Sequence, residues 1–251
     1  MKYVLEFVKH FLNAGGRITF LHVVTSDILP VSPGEWRQAL NAISTTHMLA
    51  ATSEVDYKVR NAESIVKGIL NEAGKGGYDM VLFANSTYRK HASHLFGNKI
   101  DEVIRRSPVE VVVLSYRDDM PIKYRKILVP TSGYRHALRA TRLAEVLAKS
   151  HGSEVTVLYV GADKEDPKAI FEPITGDLKS HEIRHRMLFR HGPVVEAIVA
   201  EAEKGYDLVM IGATERPAYY QYITGSTADS LIRKLPCPVV MVKTLKSFEE
   251  S

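Results

Sequence analysis

The chain has 251 residues, 45% hydrophobic and 25% charged, an ordinary globular composition with room for one large domain or two of about 125 residues. No apolar run approaches the ~18 residues of a membrane span. Lys2, Glu6 and Lys9 interrupt the first ten residues as no signal core would allow, and a lone Cys237 excludes a disulfide framework or a Cys-rich zinc module. The expectation is a cytoplasmic protein without membrane insertion. Net charge is +4, spread as 14 basic and 13 acidic groups in residues 1–120 and 19 and 16 in residues 121–251. Neither half is a basic block, so nucleic acid is not an expected partner.

In chain order, Val4, Phe7, Val8 and Phe11 have helical spacing and predict a helix over Tyr3 to Asn13. Ile18 to Val24 reads as a strand. Trp36, after Pro30 and Pro33, is expected to anchor a helix from Glu35 to Ala50 onto the core. Met80 to Ala84 and Val109 to Leu114 are apolar strands. Arg117 to Pro121 is charged, ends in proline and reads as a linker. Lys126 to Pro130 is a short strand entering a turn at Ser132-Gly133, followed by a helix over Ala137 to Lys149. Strands follow at Val155 to Val160 and Arg186 to Arg190, then a helix over Val194 to Lys204. Leu208 to Gly212 is a strand without polar residues, Ser226 to Leu235 a helix, and Pro238 to Val242 the last strand. Alternating strands and helices, with continuously apolar strands, predict a doubly wound, mostly parallel α/β fold.

The chain also repeats itself. At a shift of 128, Tyr78-Asp79 falls on Tyr206-Asp207, Gly97 on Gly225, Asp101 on Asp229, Ile104-Arg105 on Ile232-Arg233 and Pro108 on Pro236. Residues 78–115 and 206–243 share 10 identities over 38 ungapped positions, where roughly two are expected from average composition. Ile18 to Val23 resembles Val155 to Val160, and Phe7 to Leu12 resembles Leu143 to Ala148. The expectation is two units, 1–120 and 121–251, each built on a five-stranded sheet. The counterpart of Lys126 to Arg139 would precede residue 1, so the first unit lacks its opening strand, which sits near the centre of such a sheet. A bare gap would hold Ile18–Val24 and Met80–Ala84 roughly 9.6 Å apart, two inter-strand spacings, with unpaired backbone groups. A natural chain that starts earlier is the favoured expectation. Direct pairing of the two strands and a strand borrowed from another chain are the alternatives.

The segment that points to chemistry is Gly212 to Thr227. A glycine ends a buried strand, a loop follows, and Gly225-Ser226-Thr227 opens a helix. Free N–H groups at a helix start, with the macrodipole behind them, favour an anion, and glycine lets the backbone approach a phosphate. The bland alternative is a helix cap, with Ser226 and Asp229 as a capping box; the two roles are compatible. The glycines, then Leu231-Ile232-Arg233-Lys234 and Pro236-Cys237-Pro238-Val239-Val240-Met241-Val242, resemble the universal stress protein family, and Lys126 to Pro130 with Gly133 resembles its opening strand.

The resemblance implies five parallel-type strands with helices on both faces, and a stress-linked regulator rather than an enzyme. One subgroup of that family binds ATP through this loop and another does not. Carried onto this sequence, the contacts would be Gly212, Gly225, Ser226 and Thr227, facing the turn Pro130, Thr131, Ser132 and Gly133. Glu215 stands where the family has a middle glycine, and Ser132 where ATP-binding members have an acid. A carboxylate ~4 Å from a phosphate opposes it by about 1–4 kcal/mol, depending on the local dielectric. In the first unit the loop reads Ala84, Thr87, Gly97, Asn98, a degenerate site. Adenine nucleotide (ATP), with no metal beyond an accompanying Mg ion, is therefore expected in the second unit only. An interaction module without nucleotide, and less favoured an ATP-hydrolysing enzyme, are the alternatives. Family members pair through their last strands, so Val109–Leu114 and Val239–Val242 are expected to pair within one chain as an internal pseudo-dimer, with homodimerisation a further option.

Other features carry less. His181-Glu182-Ile183-Arg184-His185 fits the HExxH zinc pattern, but it runs into a strand rather than a long helix. Cys237 reads as inert packing. Tyr219, Tyr220 and Tyr222 read as partly buried, and Arg89, Lys90, His91 and His94 as a solvated loop.

Overall fold

A computed structural model describes residues 7–8, 10, 16–25, 54–85, 97–117, 123–133, 135–162, 166–213 and 226–244. Among these the elements are β1 (Arg17–Val24), β2 (Glu54–Asn61), α1 (Ile65–Ala73), β3 (Met80–Asn85), α2 (Asn98–Arg106), β4 (Glu110–Ser115), β5 (Lys126–Thr131), α3 (Arg135–His151), β6 (Glu154–Gly161), α4 (Lys168–Ser180), β7 (His185–His191), α5 (Val194–Ala202), β8 (Leu208–Ala213), α6 (Ser226–Lys234) and β9 (Val239–Lys243). The helices expected at Tyr3 to Asn13, beyond its short piece at Phe7 and Val8, and at Glu35 to Ala50 lie outside the described residues, as does most of the linker.

Seven strands form one sheet in the order β3-β4-β9-β8-β5-β6-β7. Its neighbours are parallel except where β4 meets β9, antiparallel from Val111↔Lys243 to Ser115↔Val239. The two closing strands thus pair within one chain. The second unit contributes β5-β6-β7 to one side and β8-β9 to the other, the doubly wound arrangement read from the sequence.

Continuous apolar runs are needed because both faces of this sheet are covered. Val112, Leu114, Ile127, Val129, Leu208, Met210, Val240 and Val242 enter one core with α3 residues such as Ala140, Ala144 and Leu147. Val111, Val113, Leu128, Val209, Ile211, Val239 and Met241 enter the other, with Ile198 and Ala202 of α5 and Leu231 and Ile232 of α6. Both cores cross the β4–β9 seam. At the amino end of β4, Arg139 of α3 donates from Nε to Glu110 Oε1 at 2.7 Å and from Nη2 to Glu110 Oε2 at 2.8 Å, a bidentate bridge between the halves. A second polar link joins His10 to α3: its Nδ1 lies 2.9 Å from Ser150 Oγ and its Nε2 2.9 Å from His151 Nε2.

Two buried glutamates, one in each half, have matching surroundings. Glu72 near the end of α1 accepts from Arg60 Nε at 2.6 Å, Lys75 Nζ at 2.9 Å and Tyr78 Oη at 3.0 Å. Glu201 near the end of α5 accepts from Lys204 Nζ at 2.7 Å, Tyr206 Oη at 3.2 Å and Arg190 Nη2 at 3.4 Å. Both carboxylates are buried. The hydrogen bond from Arg60, against the cost of burial, holds Glu72 far below the usual carboxylate range. At Glu201 burial pushes upward, but Lys204 and the other donors outweigh it and the group is held low. Folded values below the unfolded value of about 4.3 mean stability that is present above that pH and lost as pH falls through the folded values. Glu72→Gln and Glu201→Gln should therefore shallow the loss of stability between about pH 4.5 and 2. Urea midpoints at pH 7 and pH 3 check this; an acid limb as steep as wild type would contradict it.

The structure adds elements that the sequence reading did not name. Strand β2 alternates charge with apolar residues, and α4 carries Pro173 in its interior, which obscures its pattern. In the first unit β1 pairs with β2, and β3 with β4. Direct pairing of β1 with β3 is not found among the described residues, and no strand lies between them there.

Candidate functional site

In the second unit the chain runs from β5 to β7 on one side and returns to β8 on the other, so the direction of winding reverses between β5 and β8. Ligands of open α/β sheets bind outside the carboxyl ends of strands at such a reversal. The ladder between these strands runs through Ile127↔Leu208 and Leu128↔Val209, while β5 and β6 pair through six positions to Thr131↔Tyr159. The strands thus part toward their carboxyl ends, where Pro130, Thr131, Ser132, Gly133 and Gly212 lie.

The turn after β5 is locally determined. Thr131 is buried and its Oγ1 accepts from the Gly133 N–H at 3.1 Å. Gly133 has φ +77°, and a Cβ there would sit 2.6 Å from Ile170 Cδ1 of α4. The left-handed backbone is what requires glycine; the Ile170 methyl lies at the end of its side chain and can shift. Ser132 is exposed beside it. Across the crevice Gly212 is half-buried and Ala213 buried. Helix α6 begins at Ser226, and Thr227 in its first turn is exposed. Glu215 and Gly225 lie outside the described residues, as do His91, His94 and the tyrosines 219, 220 and 222. The structure therefore brings Thr131, Ser132, Gly133 and Gly212 to one rim of the sheet.

Asp229 sits one turn into α6. Burial pushes its carboxyl up to about 6, with Arg233 pulling it down and Asp101 pushing it up. Asp101 is its repeat counterpart, buried in α2. The two related helices thus bring matched acids near each other across the seam, which a reading of either unit alone does not reveal.

Further along the same rim, a cavity of about 510 Å³ is lined by Val160, Gly161 and Ala162 after β6 and by Gly192 and Val194 after β7. Val194 is 44% exposed, unusual for a large aliphatic side chain. In the adjoining strands Tyr159 and Phe189 stack with centroids 5.6 Å apart, and His191 meets Phe189 edge-on at 4.5 Å. The sequence reading missed these residues; their one signal is position, since they follow β6, the neighbour of β5, and β7, the neighbour of β6, at the same end of the sheet.

The HExxH segment is not one surface. His181 caps α4 with its Nδ1 3.3 Å from Glu145 Oε2, Glu182 has φ +56°, and His185 lies in β7 with Nδ1 2.7 Å from the Ile183 carbonyl. Cys237 is buried, and burial first of all pushes its thiol up to about 12, far from a reactive thiolate.

The span from the opening strand to the closing one, with the glycine-flanked crevice inside it, corresponds to a known family. Residues 123–243 match the universal stress protein family. That segment is similar to a domain of that family, and related sequences agree. A universal stress protein of Methanocaldococcus jannaschii is 24% identical over 143 residues, spanning 49% of this chain and 84% of that protein. One from Thermus aquaticus is 26% identical over 139 residues, 48% of this chain and 99% of that one. Among solved structures, a universal stress protein of Archaeoglobus fulgidus covers 98% of this chain and 91% of its own, with a TM-score of 0.66 and 20% identity, a likeness of fold that spans both units. Among the described residues, no helix is long and apolar enough to cross a membrane.

Proposed function

We infer that the chain is a stress-associated regulatory protein made of two universal-stress-type units, 1–120 and 121–251, joined through β4 and β9 as an internal pseudo-dimer. The second unit takes adenine nucleotide, ATP, weakly and without turning it over. Its phosphates lie over Gly212, Gly225, Ser226 and Thr227, its ribose side toward Pro130 to Gly133, and any Mg ion arrives with the nucleotide. The observation that carries this reading is the parting of β5 and β8 beside a helix that starts at Ser226, in the unit that matches the family. The exposed Ser132 favours the second reading, an interaction module without nucleotide, because a hydroxyl there gives no charge-assisted hydrogen bond. Glu215 separates the two. If its carboxylate repels phosphate, Glu215→Gly should tighten ATP binding by about tenfold, the equivalent of 1.4 kcal/mol. Calorimetry of wild type and variant tests this, and unchanged or weaker binding would remove the repulsion argument.

A further inference from the structure

We propose that His10 and His151 form a latch between the two halves of the chain that holds one added proton but not two, and so opens in mild acid. Helix α3 starts beside the crevice and ends, 17 residues long, at His151. The pair therefore stands at the far end of that helix, and the inference does not rest on the nucleotide reading.

Geometry sets the proton count. His10 Nε2 and His151 Nε2 are 2.9 Å apart, a hydrogen-bond distance that needs one N–H and one bare nitrogen. The other ring nitrogen of His10, Nδ1, lies 2.9 Å from Ser150 Oγ, and a hydroxyl can donate to it or accept from it. A neutral pair satisfies both contacts. So does a pair with one added proton, in which one ring carries both of its N–H groups and the facing Nε2 stays bare. A second added proton puts an N–H on each facing nitrogen and sets two cations against each other at contact.

The surroundings decide where the protons go. His151 is exposed at the carboxyl end of α3, where the helix dipole favours a cation. Tyr124 stacks on its ring with centroids 4.7 Å apart. The first added proton therefore belongs on His151. His10 is 5% exposed and meets Tyr124 edge-on at 5.5 Å, so the second would fall on a buried ring that already faces a cation. The charged groups around the pair add to the repulsion. Lys149 lies in the last turn of α3, Arg184 donates to the Gly152 carbonyl just beyond it, and Lys123 and Arg125 flank Tyr124. Glu145, earlier in α3, is taken by His181, whose Nδ1 lies 3.3 Å from its Oε2.

What the latch holds is the segment that carries Phe7. That ring is fully buried in a core shared with Leu143 and Leu147 of α3, and His10 supplies a polar attachment to the same helix. Release lets both imidazoles take up protons at their ordinary value of about 6.5. The released form then binds one proton more than the latched form. The latch is thus intact above that pH, and its opening grows about tenfold for each pH unit below it.

Amide exchange of the full chain tests this, with rates corrected for intrinsic exchange and a chelator present to keep metal ions off the imidazoles. Between pH 7 and pH 5, protection of the Phe7, Val8 and His10 amides should fall at least tenfold, while β8 and β9 keep theirs. Burial also raises the carboxyls of Asp229 and Glu145, so a variant must separate the latch from them. His151→Gln, at an exposed position, keeps a donor and an acceptor facing His10 but removes the titratable proton. In it the same three amides should be equally protected at both pH values. Two results would overturn the proposal: a smaller fall in the wild type, or an equal fall in His151→Gln.

Discussion

Leu114→Ala is expected to destabilise the whole chain by about 3–4 kcal/mol, within the range measured for buried leucines. Leu114 is fully buried in β4 and pairs with Val240 of β9, also fully buried. It belongs to the core that holds Phe7, α3 and the second unit's strands. A cavity there cannot be filled from one half alone, because the seam fixes the spacing of both. Thermal unfolding should remain a single transition shifted downward. Loss of the first unit alone, with the second melting at its original temperature, would show that the seam does not couple them.

Arg139→Ala is the second large effect. Glu110 is 8% exposed and its two oxygens are taken by one guanidinium. Removing that partner leaves a buried carboxylate uncompensated, which costs about 3–5 kcal/mol where both groups are buried and nearer 2–3 here, since the Arg139 side chain is 37% exposed. The hydrogen bond to Glu110 is also the first cause of the raised Arg139 pKa. Arg139→Lys keeps the charge but not the fork, and should cost about 1 kcal/mol. A double variant with Glu110→Gln should recover part of the loss of Arg139→Ala, as expected when the penalty lies in the stranded charge. Urea unfolding of the three variants decides the point; equal losses for lysine and alanine would contradict the bidentate account.

The strands were legible because the second unit's are covered on both faces and so have no alternative to continuous apolar sequence. The repeat exposed the seam, since two strands with matching apolar runs, Val111–Leu114 and Val239–Val242, could not both be open edges. Helix α4 was not legible: Pro173 and Gly176 break the pattern within it, and tertiary packing of Ile174 and Leu178 holds it together. Strand β2 was hidden by alternating charge, which only its pairing with β1 explains. At the site, the turn with Gly133 followed from its sequence, but the cavity beside Val160 and Val194 depends on which strand ends are neighbours. Arg139–Glu110 and the approach of Asp101 to Asp229 depend on the β4–β9 register, so no local pattern could have announced them.

Titration of the full chain with ATP tests the central claim most directly. One weak site per chain is predicted, its heat lost in Gly133→Val, where the left-handed turn is strained for a β-branched residue, and strengthened in Glu215→Gly. Two equivalents bound per chain, or no binding at millimolar ATP in both wild type and Glu215→Gly, would contradict it.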